Sequence, residues 1–495
     1  MGPITPSRRL VAAAALGLAV LTASACGSQL SPETVARANG GGQYAAAQGP
    51  GGVGTGPAAG TGSGTAGSAG STGGSSGGSA GGSTGSTGSS GGGSAGGSPS
   101  TTGSTPPVQG VKAGSCAGFD DSQPGVTKDK IVIANASDIS GPVPGLFESA
   151  QLGTKAFVAY FNSVDDICGH KLEVESLDSR AEAGADQQAY AKACTDAFAA
   201  VGSMSSFDSG GAATAENCGI PDLRSTSVTP ERRACDTCFS AQAVSPNLVP
   251  TAMPRYWDHK EPDAVKHVAL LYVNVGAAKV NAESWQKAWS ANGWNIDYFQ
   301  GIDTDEFNYT PFVQQMKDKG IRFVVYAGPY QFTVRLQDAM QQQNFKPDVF
   351  LQDATIYTQD YVDSAGDAGD GSYVYSTTAL FDDFSIDEMK TYRAWLQQVK
   401  PGADPDYYGL YAWSATRLFV EQAVALGGRL TRQSLVDAIS QVKNWTGHGI
   451  HAPQQVGAKT TATCVKIFQL HSGRWSQVSP GDYMCGGLYD SHIGD

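Results

Sequence analysis

Residues 131–162 read IVIANASDISGPVPGLFESAQLGTKAFVAYFN, and their order decides the architecture. From Lys130 to Ala136 the run is short and rich in β-branched and small apolar residues, as in a buried strand. Ser137, Asp138, Ser140 and a Gly/Pro-rich turn follow. From Glu148 to Asn162, Leu152, Ala156, Phe157 and Tyr160 recur on one helical face. The same alternation continues outward, with a strand at 171–177, a helix at 186–197, a strand at 198–201 and Gly219-Ile-Pro-Asp-Leu closing the set. A second set begins near Pro246, with strands at 265–274, 295–299, 322–327, 348–351 and 372–376. Its helices lie at 278–292, 310–319 and 331–343. Strands separated by helix-sized segments argue for βαβ units and parallel sheets flanked by helices. The tail departs from this pattern. Helices near 385–399, 406–427 and 431–442 precede a hairpin at 464–470 and 474–478, turned at Ser472-Gly473.

The opening stretch resembles that of type I periplasmic binding proteins, the leucine/isoleucine/valine-binding family, which receive substrates for ABC importers. EFNYTPFVQQMKDKGIRFVVYAGPYQFTVRLQDAMQQQNFKPDVFLQDA at 306–354 is similar to that family's second-lobe strand–helix–strand. TGHGIHAPQQVGAKTTATCVKIFQLHSGRW at 446–475 is similar to its closing crossover and hairpin. The resemblance implies a two-lobe α/β clam-shell joined by three crossovers. Lobe 1 is then 111–246 with 378–445, and lobe 2 is 247–377 with 446–495. It also implies a small-molecule ligand, an amino acid or related compound, between the lobes and a membrane permease as partner. The same clam-shell also serves sensors that signal to a membrane partner.

Ligands of open α/β sheets bind beyond the carboxyl ends of the strands, so polar residues just after strands are the candidate contacts. On the first lobe these are Ser140, then Ser205, Ser206 and Asp208, then Ser227 and Thr229; across the cleft they are Asn274, Tyr330 and Asp353. The resemblance implies that Ser206, Ser227 and Thr229 receive a ligand carboxylate and that Asp353 receives an ammonium. A Ser or Thr in such a place serves equally well as a helix cap, and Asp353 as a solvated loop residue. Phe207, Tyr330, Phe332 and Tyr357 suit a pocket larger than a small aliphatic amino acid needs.

Before this body lies a different kind of chain. Residues 8–26, RRLVAAAALGLAVLTASAC, read as a signal peptide of 25 residues followed by Cys26 at the position of a lipid-modified residue. Its apolar run is too short to span a bilayer. Residues 26–110 then form a tether, almost all Gly, Ser, Thr and Ala from Gly40 to Pro107, which cannot bury enough apolar surface to fold. As a coil it reaches roughly 45 Å. The expected location is outside the cytoplasm, anchored to the cell membrane at Cys26.

Formal charge is −13, and −15 once Arg8 and Arg9 leave with the signal. With no Lys/Arg cluster to grip phosphates, nucleic acid is not an expected partner. A monomer without cofactor or metal is expected. Besides Cys26 there are eight cysteines: Cys116, Cys168, Cys194, Cys218, Cys235, Cys238, Cys464 and Cys485. An even number in an exported chain suggests disulfides. Cys168–Cys194 and Cys464–Cys485 each flank one local unit and are the favoured pairs. Cys116 and Cys218 then take Cys235 and Cys238 in an order left open. Cys235-Asp-Thr-Cys238 lacks the strand–helix context of a redox motif and the second CxxC of a zinc site.

Enzyme motifs fail in context. Asp208-Ser209-Gly210-Gly211 imitates a serine-protease nucleophile without its His and Asp partners on a β-barrel pair. His448-Gly-Ile-His451 has a metal-compatible spacing but no neighbouring Cys or acid. No P-loop, HExxH or strand-to-helix GxSxG is present. The expectation is a binding protein and not an enzyme.

Overall fold

The computed structural model describes residues 111–493; the expected signal, Cys26 and tether lie outside the described residues. The first sheet is built by β1 (Lys130–Ser137), α1 (Glu148–Val164), β2 (Lys171–Asp178), α2 (Ala183–Asp196), β3 (Ala199–Val201), α3 (Ala212–Cys218), β4 (Asp222–Thr226), α4 (Pro230–Ala234) and β5 (Cys238–Gln242). Its order is β2-β1-β3-β4-β5, all parallel. β3 and β4 are buried throughout, as central parallel strands covered on both faces must be. Strand order reverses between β1 and β3. Right-handed crossovers then put α1 and α2 on opposite faces of the sheet. Phe157 and Phe161 of α1 accordingly join one core, while Ala189, Tyr190 and Ala193 of α2 join another.

The second set is β6 (Leu248–Pro250), α5 (Ala252–Lys260), β7 (Val268–Val273), α6 (Gly276–Ala291), β8 (Ile296–Ile302), α7 (Thr310–Asp318), β9 (Phe323–Ala327), α8 (Tyr330–Gln342), β10 (Val349–Gln352), α9 (Gln359–Ala365) and β11 (Tyr373–Ser376). The chain then forms α10 (Asp387–Val399), α11 (Tyr407–Leu426) and α12 (Arg432–Ser440). It closes with β12 (Cys464–His471), β13 (Arg474–Gln477), β14 (Met484–Cys485) and β15 (Leu488–Asp490). The second sheet runs β13-β12-β11-β10-β9-β7-β8, parallel from β11 to β8 and antiparallel from β11 to β13. Its order reverses between β7 and β9. Two switch points, one per sheet, therefore face a common cleft.

The helix α11 returns to the first lobe and packs on α1 and β4. The approach is close enough that a Cβ on Gly153 of α1 would lie 2.1 Å from the Gly409 carbonyl oxygen, so only glycine fits there. Asp406 caps α11 by accepting from Gly409 N (2.6 Å). This crossing holds Tyr407 and Tyr408 at the cleft.

The three connecting segments are bonded to one another. Ser245 N donates to Thr461 Oγ1 (2.8 Å), Ser245 Oγ to Lys459 O (2.7 Å), and Ala452 N to Thr377 O (2.7 Å). Residues 446–460, expected in lobe 2, stay with lobe 1 instead. Gly457 N bonds Val442 O (3.0 Å), and His451 and Gln454 bond Ser414 (2.8 Å) and Tyr411 (3.2 Å) of α11. A polar, Gly-rich stretch gave no periodic signal from which to place that return.

Four disulfides form: Cys116–Cys168, Cys194–Cys218, Cys235–Cys238 and Cys464–Cys485. The last is as expected; the Cys168–Cys194 pairing is wrong, and neither Cys116 nor Cys218 pairs with Cys235 or Cys238. Cys168 follows α1 on one face of the sheet and Cys194 lies on α2 on the other, so the sheet separates them. Cys194 meets Cys218 of α3, packed on the same face. Cys116 reaches Cys168 because the leading segment folds back, with Phe119 stacked on His170 at 4.4 Å. Elements absent from the sequence reading, α3, β5, β6, α4, α5, α9, β14 and β15, are mostly too short to show a period.

Candidate functional site

The loops after β1, β3, β7 and β9 converge between the lobes. Ala277 N, at the start of α6, donates to Ser206 O across the gap (3.2 Å). Val143 of the β1–α1 loop packs against the second lobe's core around Val273 and Phe332. Two cavities of the cleft are lined by candidate contacts. The front cavity, about 390 Å³, lies between Pro144–Leu152, the starts of α8 and α9, and the 402–408 segment entering α11. The rear cavity, about 130 Å³, lies beside the connecting segments and is walled by Trp285, Asp353, Tyr375, Tyr407 and Gln454. Tyr408 lines both.

Of the nine candidate contacts, Tyr330 lines the front cavity and Asp353 the rear one. Asp353 follows β10, where its carboxylate accepts Thr355 N (2.8 Å) and the Thr355 hydroxyl, capping the 3₁₀ turn Ala354–Ile356. No cationic side chain bonds it. Burial pushes its carboxyl up to about 6, against the pull of those hydrogen bonds.

The others are held elsewhere. Ser140 Oγ donates to Asp178 (2.6 Å), and Ser205 Oγ accepts Phe207 N (3.3 Å). Ser206 contributes its carbonyl to the interlobe bond, while its N–H donates to the buried Asp138 (2.7 Å). Asp208 accepts Val228 N (2.9 Å), and Ser227 Oγ pairs with Ser240 Oγ of β5 (3.1 Å). Thr229 precedes α4, but its buried hydroxyl neither caps that helix nor makes any other hydrogen bond. Exposed Asn274 bonds Asp303 (2.8 Å). Strand alternation explains the β4 loop: Thr226 and Val228 face the rear cavity, and Ser227 and Thr229 do not line it. Phe332 is buried in the second lobe's core, and Tyr357 stacks on Phe381 at 4.1 Å.

Behind the first-lobe loops lies a buried ion cluster that the sequence reading missed. Arg232 bonds Asp186 (3.0 Å), Asp222 (2.8 Å) and the Asp208 carbonyl (2.7 Å). Tyr190 donates to Asp222 (2.8 Å) and accepts from Arg224. Burial pushes Asp186 up to about 6, because desolvation outweighs the two guanidiniums. The cluster fixes the β3–α3 and β4–α4 loops as one unit.

The connecting segments supply further groups missed from sequence. Gln454, fully buried, donates from Nε2 to Tyr411 Oη (3.2 Å) and Ala452 O (3.0 Å), while its Oε1 has no partner. The carbonyl of Ala452 can only accept, so the amide nitrogen must face it. Thr377 Oγ1 joins Tyr407 and Tyr411 hydroxyls, each at 2.7 Å. His451 bonds Ala452 O through Nδ1 (2.9 Å) and Ser414 Oγ through Nε2 (2.8 Å), and burial pushes it down to about 4. His448 instead meets Glu421 (2.6 Å).

Two doubly wound lobes whose switch points share a cleft define the type I two-lobe binding-protein fold. Residues 130–474 match the model of the family described as periplasmic binding protein. The chain belongs to the periplasmic binding protein family. Similar solved structures include the branched-chain amino acid substrate-binding protein LivJ from Streptococcus pneumoniae in complex with isoleucine (17% identity, 71% of this chain and 100% of that one, TM-score 0.61). An R. palustris solute-binding protein in complex with 4-hydroxybenzoate is similar at 16% identity (73% and 98% covered, TM-score 0.61). A fatty acid ABC transporter substrate-binding protein from Thermomonospora curvata is similar at 15% identity (78% and 96% covered, TM-score 0.61). No curated protein matches the sequence. The family is extracytoplasmic, and among the described residues no helix is long and apolar enough to cross a membrane.

Proposed function

We propose that this protein is the solute-binding lipoprotein of an ABC importer, tethered through Cys26 to the outer face of the cell membrane. In this reading it captures a small amine-bearing molecule between its lobes and presents it to a permease. One observation carries it: Asp353 lies at an interlobe cavity with its carboxylate bonded to no cation. An enclosed, unpaired carboxylate is costly, and a ligand ammonium relieves that cost. Tyr330 and Tyr408 supply rings from opposite lobes. The Ala277–Ser206 bond acts as a latch that forms on closing, and the bonded connecting segments act as the hinge. Ser140, Asp208, Ser227 and Asn274 serve as scaffold. The Gly/Ser-rich stretch before the body, expected as a tether, would let one anchored monomer sample its surroundings and still meet the permease.

The test is thermal unfolding of the full mature chain, oxidised, against amino acids, amides, polyamines, aromatic acids and sugars. A ligand at 100 times its dissociation constant adds about 2.7 kcal/mol. A selective shift that Asp353→Ala removes supports the reading. A ligand that shifts the variant equally well removes Asp353 from the site.

A further inference from the structure

Side-chain charge lining the front and rear cavities is mostly acidic, while Arg393 and Arg474 line an adjoining cavity beyond Gln359 and Asp404. Glu148, Asp360, Asp404 and Asp406 line the front cavity against a single cation, Lys400, which is already held by Glu148 (2.8 Å). Asp353 is the sole charged residue lining the rear cavity among the described residues. Gln454 lines the same cavity, and its buried Oε1 is an acceptor with no hydrogen-bond partner. Among the described residues no cationic side chain lines the rear cavity, and the one lining the front cavity is paired. The Ser227 and Thr229 hydroxyls line neither cavity. Asp406 and Asp360 also repel one another: burial first, and then the Asp360 charge, raise the Asp406 carboxyl. Asp406 accepts from Gly409 N at the start of α11, the Ser149 hydroxyl and the Tyr408 backbone pull its carboxyl down, and among the described residues no cation bonds it.

From these two compartments we infer that the cleft is built for an organic cation with at least two amino groups and no carboxylate. One ammonium lies against Asp353 and Gln454, and the second lies among Asp360, Asp404 and Asp406. The chain between them passes Tyr408, the ring common to both cavities, whose face favours a cation or its methylenes. This inference rests on the cleft being the ligand site and goes further by fixing the ligand's charge. It sets the cleft apart from one that holds a zwitterion or a carboxylic acid.

The experiment is calorimetric titration of the full mature chain with 1,4-diaminobutane, 1,5-diaminopentane and spermidine. 1-Aminobutane, leucine and 4-hydroxybenzoate are run beside them. The expected result is that a diamine or polyamine binds at least tenfold more tightly than 1-aminobutane and both carboxylates. Asp353→Asn and Asp406→Asn, which keep a capping oxygen, should each weaken it at least tenfold. Tighter binding of leucine or 4-hydroxybenzoate than of every diamine overturns the inference and leaves the cleft as a ligand site. Equal binding of 1-aminobutane and the diamines removes the second cation subsite. Silence with all six overturns the inference and counts against the cleft as well.

Discussion

Desolvation pushes the carboxyls of Asp186 and Asp353 up to about 6, yet the two have opposite surroundings. Asp186 bonds Arg232 and Gly211 N inside a cluster of three aspartates and two arginines. Asp353 accepts from Thr355 and from the Gly328 backbone, and among the described residues no cation bonds it. Neither burial nor a raised pKa therefore identifies a binding group. What distinguishes the two is whether the fold itself provides the countercharge: where it does, the carboxylate is scaffold, and where it does not, a ligand can.

The largest effect should come from breaking the provided pair. Arg232→Met leaves Asp186 and Asp222 without their shared guanidinium and should cost about 3–5 kcal/mol in denaturant unfolding. A loss below about 1 kcal/mol would show that the cluster is not what fixes the first-lobe loops. Next is the unprovided side. Asp353→Asn should weaken an amine ligand by about 2 kcal/mol or more, roughly thirtyfold, in calorimetry, with circular dichroism unchanged.

Acidity sharpens the contrast. Asp353 is raised from 3.8 to about 6, so its contribution to stability is fully present below about 4 and is lost as pH rises through about 6. Without ligand, Asp353→Asn should be more stable than the wild type at pH 7.5, by on the order of 1–3 kcal/mol, and the gap should close by pH 4. Affinity for an amine should run the other way, rising from pH 5 to 7 as Asp353 ionises and then levelling. A flat profile would mean that Asp353 never meets the cation. The smallest effect belongs to Ser227→Ala, which removes the bond to Ser240 and should cost about 1 kcal/mol while leaving ligand affinity unchanged. A loss of affinity would return the β4 loop to the binding site.

Much of the fold was legible. The helix over 148–162 appears as α1, and the strands expected at 322–327 and 348–351 appear as β9 and β10. These elements have long apolar periods or β-rich runs between clear turns, and local pattern suffices for them. The candidate site was less legible. Asp353 and Tyr330 line cavities because they follow strands at the cleft, which is a matter of topology. Ser227 and Thr229 lie one residue of alternation away from Thr226 and Val228, which line the rear cavity, and the short β4 does not reveal that phase. Gln454 and the 446–460 return carried no signal, since a single Gln in a polar loop becomes notable only when the fold buries it.

The sequence by itself determined the alternation of strands and helices, the family resemblance, and which residue types were available near strand ends. Periodicity and order along the chain are local properties, and they survive without coordinates. Only the tertiary structure decided which cysteines pair, which aspartates find arginines, and which polar atoms are left facing a cavity. Those outcomes depend on the handedness of crossovers and on contacts between residues far apart in sequence. Cys168 and Cys194 lie on opposite faces of one sheet, and Asp353 from the second lobe shares a cavity with Gln454 from a connecting segment. Whether a buried charge is answered is a property of all the surfaces closing on it, and the chain acquires that property only on folding.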